Sequence, residues 1–204
     1  MTSKSRFESI AQREIGSGAH RRFDGDRAVI GSLGGAQGTR AAGWAMNTMS
    51  TRLLNLGAED VLLNLHTSHA PARAEWDQSM GQAKQYAREH DLRNLRILVV
   101  TDGGGPDALM RTEVAEFYKA NRVLVKTAVI TASLISRSIV AAMGLVNPHV
   151  KAFSPGHVRT ALTHLELPPT HASRIVHELD DMQRGLPSVA CLTVLKGLAT
   201  TRGA

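Results

Sequence analysis

Cysteine is almost missing from this chain of 204 residues, which has Cys191 alone. One thiol closes no internal disulfide and builds no zinc site of several cysteines, so a reducing compartment is the expected home. Its neighbours Val189, Ala190 and Leu192 predict burial rather than reactivity. Aromatic residues make up only 4% of the chain, few for a surface that stacks nucleic-acid bases. No apolar run is long enough to cross a bilayer, and Met1 to Gly18 is polar and charged, without the apolar core of a secretion signal. A soluble cytoplasmic protein without a membrane span is expected.

The remaining composition is that of an ordinary folded protein, 43% hydrophobic and 21% charged, which excludes disordered and fibrous classes. A formal charge of +6 and a pI near 10.0 raise the question of nucleic acid, since clustered cations bind phosphate by releasing counterions. Here the cations are scattered. Arginine outnumbers lysine three to one, and Arg21-Arg22 is the single adjacent pair. Nucleic acid is therefore not the expected partner.

Between Asn94 and Leu167 three short apolar runs alternate with segments of helical period. Leu95 to Thr101 stops at Asp102-Gly103-Gly104-Gly105-Pro106, Val123 to Ile130 precedes a helix presenting Ile135, Ile139 and Met143, and Val150 to Phe153 is a last short strand. That rhythm predicts a parallel sheet, whose strands are buried on both faces and are linked by helical crossovers. Upstream, Val61 to Leu65 reads as another buried strand, and Trp76, Met80, Ala83 and Ala87 mark one face of a helix. Ala42, Met46, Met49, Leu53 and Leu56 recur at helical spacing with Gly57 as a stop, predicting a first helix. Residues 20–30 flank Asp24-Gly25 as a hairpin. Ser154-Pro155 is expected to open a helix with the stripe Val158, Leu162 and Leu165. Beyond Pro168-Pro169, Ile175, Leu179 and Met182 predict one helix and Leu186 to Leu198 a second.

This order, with Thr127 to Thr131, Val146 to Phe153 and Ser154-Pro155 as its most similar parts, resembles the STAS-like family of anti-sigma-factor antagonists, in particular bacterial relatives grouped with the Sec14-like fold. The resemblance spans about Arg21 to Leu167. It implies a mixed, mostly parallel α/β sheet with flanking helices, and a domain that acts in bacterial signalling by docking to proteins. It also implies a phosphorylation switch after the strand ending near Leu65. In place of the family's Asp-Ser-(Ser/Thr)-Gly motif this chain has His66-Thr67-Ser68-His69, so Ser68 and Thr67 are the candidate hydroxyls. A phosphate there would lie near a helix N-terminus, which favours anions.

Other features point to ligand chemistry. Asp102, Gly103, Gly104, Gly105 and Asp107 follow a strand, where open α/β sheets collect ligands, and two carboxylates suit a cation or a proton transfer. The same two acids also suit helix caps. Gly34 and Gly35, within the glycine-rich segment 31–38, are the candidate opposite wall, although the segment matches no nucleotide-binding fingerprint and has no P-loop lysine. His66-x-x-His69 has no visible third metal ligand, and no Gly-x-Ser-x-Gly elbow is present.

With no convergent acid, base and nucleophile, no catalytic residue, metal or cofactor is assigned. The expected organisation is an N-terminal extension at 1–19, a STAS-like α/β domain at 20–167 and a C-terminal helical tail at 168–204. The expected function is a non-enzymatic regulatory or scaffolding domain that binds a protein partner or self-associates. A small-molecule, nucleotide or lipid site at the strand ends is the alternative. The tail is expected to pack back on the domain or on a partner. Docking is expected to use exposed helix faces and the tail, so removing residues 170–204 should abolish oligomer or partner association while leaving the domain folded.

Overall fold

The computed structural model of the protein describes residues 46–200, and in it Met49–Asn55 is a strand, β1, where helical spacing predicted a helix. Its neighbour β2, Asp60–His66, runs antiparallel from Met49 opposite His66 to Asn55 opposite Asp60. The reversal is tight. Leu56 N–H donates to the Glu59 carbonyl at 3.0 Å, and Asn55 binds both the Gly57 N–H at 3.1 Å and Asp60 at 2.8 Å. Gly57, with φ at 103°, is the turn residue of this hairpin rather than a helix stop. Met49, Leu54 and Leu56 are buried while Leu53 is exposed. Over so short a stretch, apolar residues spaced three and four apart fit either period. The hairpin expected at 20–30, the glycine-rich segment and the N-terminal extension lie outside the described residues.

Three further strands continue the sheet in parallel: β3, Leu95–Thr101; β4, Lys126–Thr131; and β5, Val150–Phe153. Their spatial order is the chain order β1-β2-β3-β4-β5. The crossovers carry α1, Arg73–Glu89; α2, Ala108–Ala120; and α3, Leu134–Val146. After β5 come a short 3-10 turn at Pro155–His157 and α4, Val158–His164, then α5, Ala172–Gln183, and α6, Ala190–Thr200. This is the expected mixed, mostly parallel sheet with flanking helices.

Both faces of the sheet are covered. Leu63, Leu65, Leu98, Val100 and Ile130 pack against Leu162 of α4, Ile175 and Leu179 of α5, and Leu192 and Leu195 of α6. On the other face Leu62 and Ile97 meet Ala83 and Tyr86 of α1, while Val129 and Val150 meet Val140 of α3. Each fully buried leucine contributes roughly 1.5–3 kcal/mol, and α5 and α6 supply Leu179, Leu192 and Leu195 to this cluster.

α3 departs from its expected orientation. Val140 is buried and Met143 half-buried, but Ile135 and Ile139 face outward. A β-carbon added at Gly144 would lie 3.3 Å from the Val150 carbonyl, so the helix sits close on β5 along its Val140 and Gly144 line.

Candidate functional site at the strand carboxyl ends

The carboxyl ends of the three central strands form a polar row, with His66 opposite Thr101 and Thr101 opposite Thr131. All three are buried. The loops that leave these strands are stitched together over the row. Gly104 N–H donates to the Thr67 carbonyl at 3.0 Å, the Thr101 hydroxyl donates to the Gly104 carbonyl at 2.5 Å, and Gly103 N–H donates to the Thr101 hydroxyl at 3.0 Å. From α3, the Ser136 hydroxyl reaches the Gly103 carbonyl at 3.2 Å.

This weave accounts for two of the three glycines. Gly103 has φ at 126°, a backbone that side chains disfavour. At Gly104 a β-carbon would fall 2.1 Å from the His69 carbonyl oxygen and 2.5 Å from that of Thr67. Gly105 meets nothing within 4 Å.

Each acid of the loop holds a helix. Asp102 accepts from Ala190 N–H at 2.6 Å and Cys191 N–H at 2.8 Å, capping the first turn of α6. Asp107 caps α2 by accepting from Met110 N–H at 2.9 Å. Cys191 donates its thiol to the Thr101 carbonyl at 3.2 Å. Burial first, then the bond and charge of Asp102, push that thiol up to about 11, so it is not a thiolate nucleophile at neutral pH.

The two candidate hydroxyls differ in access. Thr67 is buried and accepts from His69 N–H at 3.2 Å, whereas Ser68 is exposed, 3.4 Å from the His69 ring. At the start of α1, Glu75 gathers Thr48 N–H at 2.7 Å, the Thr48 hydroxyl at 2.6 Å and Ala72 N–H at 2.8 Å. Burial works against its charge, but these bonds prevail and hold the carboxyl below its ordinary range. Gly34 and Gly35 lie outside the described residues.

His66 is the anomaly of the row. Its ring is 2% exposed, its Nδ1 has no hydrogen-bond partner, and burial lowers its pKa to about 4 against the opposing charge of Glu75. His69 is exposed, and no group of three His, Cys, Asp or Glu among the described residues is placed to hold a metal ion. Two clefts border the described sheet. One of about 160 Å³ is bounded by Met49, Glu75, Gln78 and Leu186, and one of about 370 Å³ by His90, Asp91, Arg93 and Arg122 near the opposite end of the sheet.

The surface that sequence reasoning overlooked is on α3. Leu134 is 72% exposed, Ile135 75%, Ile139 41% and Leu145 89%. Its signal was present: Leu134–Val146 contains one ionisable residue, Arg137. A flanking helix without a polar face marks burial or contact.

No family model and no curated protein matches the chain. Among solved structures it is similar to an uncharacterised protein of the DUF3478 family with a SpoIIAA-like fold from Shewanella loihica, at a TM-score of 0.44 and 10% sequence identity, over 58% of this chain and 94% of that one. No helix among the described residues is long and apolar enough to cross a membrane.

Proposed function

We propose that this chain is a STAS-like, non-enzymatic domain that docks to protein, in a regulatory or scaffolding role. The carrying observation is a contrast. The acids expected to serve a ligand each cap a helix, while α3 presents an uncharged apolar face to solvent. Polar groups bound inside the fold are poor acids, bases or ligands, and apolar surface gains most from being covered by protein. The sequence resemblance to STAS-like domains supports the same reading.

A ligand site at the strand ends is the competing reading, and the buried, unpartnered Nδ1 of His66 is the observation in its favour. A thermal-shift screen of the full chain against ATP and GTP, magnesium and zinc, and phosphatidylglycerol vesicles separates the two, because a ligand of the native state raises the melting point. The docking reading expects no saturable rise with any class. A saturable rise of several degrees with one of them, abolished by His66→Leu, would transfer the function to the strand ends.

A further inference from the structure

We infer that two copies of this chain pair through the outer edge of β5 and the exposed face of α3, extending the sheet across a two-fold axis. This pairing rests on the docking reading above and names its partner. On α3, Leu134, Ser138, Ala141 and Leu145 form one row, with Ile135, Ile139 and Ala142 beside it; all are exposed and none is charged. The helix lies on an open sheet edge: it packs on β5 along its Val140 and Gly144 line, and β5 is the last strand of the order and, among the described residues, has no neighbour beyond it.

The backbone of β5 says which residue faces that edge. Thr127 N–H donates to the His149 carbonyl at 2.9 Å, so by the alternation of a strand His149, Lys151 and Phe153 turn their polar groups toward β4 and Ala152 turns its own outward. An outward N–H and carbonyl bordered on one face by an apolar helix is complementary to another such edge with its helix on the same side. A second copy, rotated about an axis perpendicular to the sheet, supplies that arrangement.

The register follows from the pleat. Antiparallel partners keep their faces only if the paired residue numbers add to an even sum, which allows a two-fold centred on Lys151 or on Ala152. Centring on Lys151 opposes two like charges and requires the Val150 N–H, already given to the Asn147 carbonyl at 3.0 Å. Centring on Ala152 pairs its own N–H and carbonyl with those of the second copy and sets Lys151 opposite Phe153 of that copy. α3 then lies antiparallel to its counterpart. The α3 row offers apolar surface on the order of a few hundred Å² on each copy, and the strand edge brings the total near the roughly 1,000 Å² that a specific interface needs.

Sedimentation of the full chain over a concentration series tests this. The native chain should sediment as a dimer, and the double variant Ile135→Glu/Leu145→Glu as a monomer with an unchanged circular dichroism spectrum. Leu109→Glu, which places one such charge on exposed apolar surface of α2, should stay dimeric. A short bismaleimide should link Ala152→Cys chains to each other at least ten times faster than Lys84→Cys chains, whose thiol lies on α1. A native chain that is monomeric throughout, a dimer indifferent to the α3 charges, or a dimer that Ala152→Cys fails to link would each overturn the pairing. None of these outcomes shifts the melting point with ligand, so failure of the pairing is distinct from failure of the docking reading.

Discussion

Asp102 and Cys191 stand 89 positions apart in sequence, yet the carboxylate of the first accepts the backbone N–H of the second at 2.8 Å. This contact, with the one to Ala190, fastens the start of α6 to the end of β3. Removing a cap of this kind costs about 0.5–2 kcal/mol. Asp102→Ala should therefore lower stability by about 1–2 kcal/mol in urea denaturation, and Asp102→Asn, which keeps an acceptor, by less. The buried Cys191 thiol should also react faster with a thiol reagent in Asp102→Ala than in the native chain. An alanine variant of undiminished stability would free Asp102 for the ligand role.

The glycines after Asp102 should respond unequally. Gly104→Ala forces a β-carbon against two backbone carbonyls that loop bonds hold in place, and overpacking against fixed neighbours costs about 1–3 kcal/mol or more. Gly105→Ala enters open space at a position without positive φ, and reduces unfolded-chain freedom by up to about 1 kcal/mol. Melting curves should show a clear loss at Gly104 and a neutral or slightly raised midpoint at Gly105. Equal effects would mean that the loop does not hold its close approach to Thr67 and His69.

Periodicity disclosed the parallel part of the fold because each of its strands is a continuous apolar run closed by a turn signal. β1 escaped it, since Met49, Leu53 and Leu56 satisfy helical spacing and only the pairing with β2 selects the strand. α3 escaped it differently. Its apolar residues fall on every side of the helix, so spacing alone did not say that Val140 and not Ile135 would face the sheet. At the strand ends, Asp107 was legible as a cap because its helix follows it directly, whereas the capping of α6 by Asp102 joins residues 88 positions apart. The Gly-rich stretch looked like a ligand loop because a left-handed turn and a close backbone crossing require the same residue as a phosphate cradle.

His66 should give stability a specific acid limb. Its pKa is near 6.5 when unfolded and about 4 in the folded state, because burial opposes the charged ring. The unfolded chain thus binds the extra proton first, and stability falls as pH drops from about 6.5 toward 4, with no contribution from this group above that window. A gap of about 2.5 units corresponds to a loss on the order of 3 kcal/mol. Compared by urea denaturation at pH 7 and pH 4, His66→Leu should lose less stability than the native chain by about that amount. Parallel pH profiles would show that the ring finds a proton partner in the folded state.

The C-terminal helices offer the sharpest test of what holds the sheet together. Leu179 of α5 and Leu192 of α6 are fully buried over Leu63, Leu65 and Val100, in a cluster that includes residues from β2, β3 and β4. Leu179→Ala should cost about 2–5 kcal/mol, as truncation of a fully buried leucine does when the site cannot collapse. Deleting residues 168–204 leaves α4 alone on one face of a sheet whose strands are apolar on both sides, and parallel strands do not persist with a face largely in water. The shortened chain should lose its cooperative melting transition and bind a hydrophobic dye. If it instead melted sharply with native circular dichroism, the face beneath α5 and α6 would not need them, and the tail would return to being a docking arm.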